Sequence, residues 1–222
     1  MKLHKKLLIA ASTENELSGA EKLSQNTDID IFITGTGTFL PIYTLTKLFS
    51  ENKYDLAIFF GICGVYNQNE ELLKLYSVEK TTFSDCGIED ENQNFVPLTE
   101  TSFFNKNAFK MSDGYFFNSS AKKFGIETAA CNTVSRCISE KNYVEKMLKK
   151  FPAEIETMES AAFALVCLNE KQKFLEIRCS SNYVAPKNEK KWQVLPAIKK
   201  LGKTIDYFVS SKITDSDSEI LA

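Results

Sequence analysis

The 222-residue chain is 43% hydrophobic and 25% charged, the balance of an ordinary globular protein with room for one α/β core. A formal net charge of -2 leaves no basic footprint for nucleic acid and suits a small neutral or acidic metabolite. The basic start Met1–Lys6 leads only into the short run Leu7–Ala11, too short for a signal peptide, and no run approaches the roughly 20 apolar residues of a membrane span.

Leu7–Ala11, LLIAA, predicts a fully buried strand, and Ser12-Thr13 can cap a helix starting near Glu14. A second strand covers Ile29–Thr34 and ends in Gly35-Thr36-Gly37-Thr38. A helix follows over Leu40–Phe49, with Pro41 tolerated in its first turn. Asp55–Phe60 is a third buried strand, closed by a Gly61-Ile62-Cys63-Gly64 turn. Continuous apolar strands with intervening helices predict a parallel or mixed sheet covered on both faces. Leu75–Phe83 has strand character and leads into Ser84-Asp85-Cys86-Gly87-Ile88-Glu89-Asp90. Residues 91–120 lack periodicity and read as a long loop with short helical pieces. Another strand spans Ile126–Cys131, followed by Asn132-Thr133-Val134-Ser135. Helices are expected at Glu140–Lys150 and Glu154–Asn169. Phe174–Ile177 is a strand that leaves through Cys179-Ser180-Ser181-Asn182-Tyr183 into a Pro-Lys-Asn turn at Pro186–Asn188. The last helix spans Pro196–Ser211, with Ile198, Leu201, Ile205 and Phe208 at helical spacing. An acidic, frayed tail runs from Thr214. No repeat or domain linker is visible, so residues 1–222 are expected to form a single domain.

The six cysteines, Cys63, Cys86, Cys131, Cys137, Cys167 and Cys179, form no C-x-x-C pair. Reduced thiols in a cytosolic protein are the expectation, rather than disulfides or metal ligands. His4 is the only histidine. A His-based triad or His-ligated zinc is therefore not expected.

Several residues invite chemistry, each beside a plainer reading. Glu14 and Glu16 follow the first strand; they can favour a helix N-terminus through its dipole, or orient and deprotonate a water. Gly35-Thr36-Gly37 is either a phosphate cradle or a tight turn, and no arginine lies near it. The Gly61–Gly64 stretch is either a buried turn or a place where backbone approaches a ligand. Asp85, Glu89 and Asp90 fit no metal-ligand spacing and read as a charged surface turn. Met158-Glu159 either carries an acid on a helix surface or, standing in an apolar run, a carboxylate that needs a partner. Two hydrogen bonds side by side would suit vicinal ribose hydroxyls. Ser181-Asn182 closes a strand at the place where open α/β sheets bind ligands, or Asn182 simply shapes the turn. Trp192 is either core-facing at the helix entry or a lid over a bound ligand.

Taken together, Ala11-Ser12-Thr13-Glu14-Asn15-Glu16-Leu17, Thr82–Asp90, EIETMESAAFALVCLN at Glu154–Asn169 and FLEIRCSSNYVAPKNEKKW at Phe174–Trp192 resemble the nucleoside phosphorylase and hydrolase superfamily, and within it the futalosine hydrolase branch. Arg178, Tyr183, Pro186, Asn188 and Trp192 complete that resemblance. Ser160 stands where the family usually has Gly, and Ala185 and Lys187 where Glu and Arg are common. The resemblance implies an α/β fold: a single domain with a central mixed β-sheet flanked by helices. It implies hydrolysis of the N-glycosidic bond of futalosine to hypoxanthine and dehypoxanthine futalosine on a menaquinone route. Methylthioadenosine/S-adenosylhomocysteine nucleosidase and purine nucleoside phosphorylase are the rival activities, and a non-catalytic nucleoside-binding protein is the rival outside enzymes. Glu16 would activate water, with Glu14 as fallback. Glu159 would hold the ribose hydroxyls, with Met158 packed on the sugar. Ile62, Val134, Ser181 and Trp192 would line the nucleoside. Asn182 takes the place of the nucleosidases' Asp, which protonates the purine; an amide favours a 6-oxopurine. The expected partner is a small nucleoside, with no nucleic acid, membrane, metal or organic cofactor, in a cytoplasmic homodimer or higher homo-oligomer.

Overall fold

A computed structural model of the protein describes residues 6–20, 23, 26–91, 94–105, 109–184 and 192–208. His4, the Pro186–Asn188 turn with Ala185 and Lys187, the end of the last helix and the tail from Thr214 lie outside the described residues.

β1 (Leu7–Ala11) is buried throughout and runs parallel between β2 (Ile29–Ile33) and β3 (Leu56–Val65). Its side chains alternate between two apolar layers, as a strand's must. Leu7, Ile9 and Ala11 join Ile58, Phe60, Ile177, Leu201 and Ile205 on one face. Leu8 and Ala10 join Leu45, Phe49, Phe59, Phe163 and Val166 on the other. The first layer is closed by α4 (Val194–Tyr207), the second by α1 (Phe39–Glu51) and α3 (Ser160–Asn169). α3 is apolar almost all round because it is buried all round.

The expectation of a mixed sheet holds. β10 (Phe174–Tyr183) runs parallel to β3 and antiparallel to β4 (Leu75–Phe83). β4 runs parallel to β8 (Thr128–Thr133), β8 parallel to β9 (Ile155–Thr157), and β9 returns antiparallel to the end of β3. Because β10 pairs with both β3 and β4, these strands close on themselves. β1 and β2 continue the sheet outward from β3.

Several expected elements change. The helix near Glu14 is only a 3-10 turn, Asn15–Leu17, and Thr13 caps it as expected, its hydroxyl oxygen accepting the Glu16 N–H at 3.4 Å. The Thr13 hydroxyl hydrogen goes to the Glu16 carboxylate, at 2.9 Å. The glycine turn after Phe60 is not a turn, since β3 runs through Gly61–Gly64 to Val65. Likewise β10 continues through Ser180–Asn182 with a register shift, rather than ending near Ile177. In both, the small residues keep extended backbone and make room for neighbours. The expected helix from Glu154 starts only at Ser160. Ile155 and Thr157 face the core as strand residues of β9, so Glu159 stands at the helix entrance instead of inside it. The strand expected at Ile126–Cys131 lies two residues later, and the helix at Glu140 starts at Lys141 with the Glu140 carboxylate as its cap. Residues 91–120 hold a 3-10 turn, Leu98–Glu100, as expected of a loop with helical pieces. They also hold β6 (Phe95–Pro97), which pairs with β5 (Gly87–Glu89) in a hairpin, and β7 (Phe116–Phe117), which pairs with β4. The thiols are free; Cys63, Cys131, Cys167 and Cys179 are buried, and Cys86 and Cys137 exposed.

Candidate active site

The turn after β1 carries the two acids that the sequence left as alternatives. Glu14 is exposed, whereas Glu16 is buried. Three donors fix the Glu16 carboxylate. Thr13 gives its N–H to Oε2 at 3.1 Å and its hydroxyl at 2.9 Å, and the Ile62 N–H reaches Oε1 at 3.0 Å. A carboxylate has about four acceptor sites, so one direction stays open for a water or hydroxyl. Ile62 thereby belongs to the site through its backbone, and its side chain is partly buried.

Glu159 is 7% exposed and lies near enough to Glu16 to feel its charge. Gly37 gives its N–H to Glu159 Oε1 at 3.0 Å, and Arg178 Nη1 lies 3.5 Å from Oε2. Gly35 and Gly37 have φ of +84° and +83°, so the stretch is the tight turn that only glycine adopts without strain. The turn's N–H that a phosphate cradle would use is aimed at a carboxylate. A phosphate there would meet like charge. Thr38 continues the turn, with its hydroxyl 3.3 Å from that of Ser135 and 3.5 Å from the Met158 carbonyl. Met158 is partly buried beside it. Val134 is buried, its N–H bonded to the Thr157 carbonyl at 2.9 Å.

Arg178 is the hub. It is fully buried. Its Nε donates to Glu176 Oε1 at 2.7 Å, its Nη1 to the Ile62 carbonyl at 3.4 Å, and its plane lies 4.8 Å from the Phe59 ring centre. Gly61 makes this possible: a Cβ there would stand 2.2 Å from Nη1 and 3.2 Å from Glu16 Oε1. Burial works against the charge on Arg178, yet Glu176, Glu159 and Glu16 together hold its pKa above the usual value. Burial pushes the Glu159 carboxyl above the ordinary glutamate range. Arg178 and the Gly37 N–H pull it back, and Glu16 and Glu176 push it further up.

Asn182 sits at the end of β10, partly buried. Its Oδ1 accepts from the Ser181 hydroxyl at 2.8 Å, and its Nδ2 donates one hydrogen to the Tyr183 carbonyl at 3.2 Å. The second amide hydrogen remains for a ligand. The Ser181 hydroxyl also lies 3.2 Å from the Cys63 carbonyl on β3, so its one hydrogen is shared between that carbonyl and Asn182. Trp192 is partly buried next to this strand end, because the neighbouring Gln193 N–H bonds to the Ser181 carbonyl at 2.7 Å. Asp85 departs from the surface-turn reading. Its carboxylate accepts the Ser135 N–H at 2.6 Å, and burial raises its pKa. Among the described residues, no group of His, Cys, Asp or Glu is placed to hold a metal ion.

The sequence reading missed Glu176 and gave Arg178 no role of its own. The signal was present in Glu176-Ile177-Arg178. Residues i and i+2 of a strand share a face, and two opposite charges in a buried strand must pair.

Residues 40–210 match the Phosphorylase superfamily. The chain belongs to that superfamily. Among curated relatives, this phosphorylase-superfamily chain is 24% identical to futalosine hydrolase of Thermus thermophilus over 78% of its own length and 77% of the relative's. The native structure of futalosine hydrolase of Helicobacter pylori matches with a TM-score of 0.73 at 15% identity, covering 92% of this chain and 97% of that one. The 5'-methylthioadenosine/S-adenosyl homocysteine nucleosidase of Helicobacter pylori matches with a TM-score of 0.74 at 15% identity, over 92% and 97% of the two chains. These likenesses establish the phosphorylase-like α/β fold. No helix of the described residues is long and apolar enough to cross a membrane.

Proposed function

We propose that this protein is an N-glycosyl hydrolase that cleaves futalosine to hypoxanthine and dehypoxanthine futalosine, in the cytoplasm, on a menaquinone route. The observation that carries the proposal is the pair of buried carboxylates, Glu16 and Glu159, gathered around Arg178, with Gly37 turned onto Glu159. Cleavage of the C1′–N9 bond builds positive charge on the ribose. Glu159 accepts the 2′- and 3′-hydroxyls and sets its negative charge beneath that ribose. Glu16, held by Thr13 and Ile62, aligns a water and takes its proton as the water adds to C1′. Asn182 hydrogen-bonds N7 of the departing purine through its remaining amide hydrogen; the base leaves as an anion and takes its proton from solvent, to which Glu16 returns the one it took from water. Met158, Ile62, Val134 and Trp192 surround the sugar and base, and Ser181 fixes Asn182. The orientation of the Gly37 N–H supports water over phosphate as the nucleophile. The similarity to the Thermus enzyme supports futalosine as the nucleoside.

The second reading, methylthioadenosine/S-adenosylhomocysteine nucleosidase, draws on the equally good fit of the fold to the Helicobacter nucleosidase. Asn182 weighs against it, since an amide cannot deliver the proton that a carboxylic acid gives to an adenine. Base release from futalosine, inosine and methylthioadenosine separates the two. The proposal expects hypoxanthine from futalosine as the preferred product, and preferred release of the adenine base from methylthioadenosine would overturn it.

The protein is further proposed to be a homodimer. α1 leaves Phe39, Leu40 and Tyr43 exposed at 80%, 53% and 68%, directly after the turn that holds Glu159. A second copy would cover this apolar face. Light scattering should return twice the chain mass and, for Phe39→Glu, the chain mass; a monomeric wild type sinks the idea.

A further inference from the structure

Besides Glu16 and Glu159 two further glutamates are buried among the described residues: Glu156, which accepts the Tyr66 hydroxyl at 3.0 Å, and Glu176, which has no task in the proposed chemistry. Glu176 is fully buried, and its Oε2 finds no hydrogen-bond partner among the described residues. Such a group is costly unless it serves its surroundings. Its Oε1 accepts both the Ser160 hydroxyl and Arg178 Nε. Ser160 follows Glu159 in the chain and is held in turn by the Thr157 hydroxyl at 2.6 Å. A ring results, running from Glu159 to Ser160, Glu176, Arg178 and back to Glu159. The ring is uneven. Arg178 meets Glu176 at 2.7 Å but stands 3.5 Å from Glu159.

We infer that Glu176, fixed by Ser160, is a positioning residue that holds Arg178 off Glu159 and so keeps the Glu159 carboxylate available to the ribose. Among the described residues Arg178 is the cation paired with Glu159, and an unrestrained guanidinium would take it in a two-bonded clamp. That clamp would fill the acceptor sites that the ribose hydroxyls need and cancel the charge that the forming ribosyl cation needs. With Glu176 as the closer counter-ion, Arg178 still fixes Glu159 but does not neutralise it. The groups facing Glu159 are Arg178 and Glu176 on β10, Glu16 on the 3-10 turn and the Gly37 N–H. On its own segment the neighbours are Thr157 and Ser160. Removing the Glu176 charge therefore moves Glu159 only toward easier ionisation. This inference rests on the proposed nucleoside site and deepens it.

Glu176→Gln keeps shape and removes charge; Ser160→Ala removes the anchor and changes no charge. Both are expected to titrate Glu159 lower, read from 13C-glutamate carboxyl resonances of the ligand-free protein assigned with Glu159→Gln. The shift should be about one pH unit for Glu176→Gln and smaller for Ser160→Ala. With the nucleoside that wild type cleaves, Glu176→Gln should lose about tenfold in kcat/KM on the pH plateau, mostly as a KM rise. A plateau kept within about twofold overturns the inference, because through-space charge alone would move the pH limb and spare the plateau. If wild type releases base from no nucleoside, the functional proposal fails and the Ser160→Ala titration decides this one. A fall supports the hold-off, and an unchanged Glu159 overturns it. Should Glu176→Gln fail to fold, the same Ser160→Ala titration decides.

Discussion

Gly61→Ala should damage both stability and turnover, although it adds a single methyl group in a strand. The new Cβ would lie 2.2 Å from Arg178 Nη1, 3.0 Å from its Cζ and 3.2 Å from Glu16 Oε1, where ordinary contact begins at 3.4 Å. The guanidinium would have to retreat by roughly 1.2 Å, the difference between 3.4 and 2.2 Å. It has nowhere to go: Glu176 holds Nε at 2.7 Å, and Phe59 lies under its plane. Overpacking a tight core costs about 1–3 kcal/mol, and partial loss of a buried ion pair adds to that. We expect a loss of about 2–4 kcal/mol, which for a chain of this size lowers Tm by roughly 5–15 °C. Displacing Arg178 also disturbs Glu159, so kcat/KM should fall by about 30-fold or more. Thermal unfolding and base-release kinetics on the same preparations are the assay. Gly37→Ala is the control: its Cβ meets nothing within 4 Å, leaving only the strain of a φ of +83°, about 1–2 kcal/mol. A Gly61→Ala protein with Tm and kcat/KM near wild type would show that Arg178 has slack, and the packing argument would be wrong.

Further outcomes follow from the same geometry. Glu159→Gln should cost at least about 100-fold in kcat/KM, and near-normal kinetics would reassign Glu159 to structure. Because burial holds the Glu159 carboxyl above the ordinary range, activity should fall on acidification through that raised pKa, before an unperturbed glutamate would titrate. The stability sign is the reverse. A raised folded pKa means the folded state binds the proton more tightly, so the group costs stability once pH rises past its unfolded pKa. Glu159→Gln should therefore melt higher than wild type at about pH 8, with the gap closing near about pH 4; a variant less stable at the higher pH contradicts this. Glu16→Gln should lose turnover while substrate affinity by calorimetry is largely kept, and an unchanged rate would return attention to Glu14. Asn182→Asp should erode the preference for hypoxanthine over adenine, measured as the ratio of kcat/KM for futalosine and aminofutalosine. An unchanged ratio would remove Asn182 as the selector.

Much of the architecture was legible because its signals are local. Leu7–Ala11 is apolar at every position and could only be a strand buried on both faces. Leu75–Phe83 was bounded correctly, and the spacing of Ile198, Leu201 and Ile205 gave the face of α4. Failures came where small residues carry two meanings. Gly61–Gly64 and Ser180–Asn182 look like chain breaks in sequence. In the fold they are strand positions kept small so that Arg178 and Asn182 can lie against the neighbouring strand. Ile155–Thr157 was absorbed into the following helix because a three-residue strand has no period of its own. Its partners lie at Cys131–Thr133 and Gly64–Val65, far away in the chain. Glu16 and Glu159 were visible as acids beside apolar runs. Their meeting through Arg178, and the place of Glu176 in that cluster, depend on β3 and β10 being adjacent, which no window of sequence contains.

The central claim is that water, aligned by Glu16 and excluding phosphate, ends on C1′ of the nucleoside. The most direct test is turnover of futalosine in 18O-labelled water, with and without inorganic phosphate, followed by mass analysis of the sugar product. The account predicts hypoxanthine and one 18O atom in the released dehypoxanthine futalosine, at the same rate in both buffers. A phosphate-dependent reaction yielding a sugar 1-phosphate without the label would contradict it.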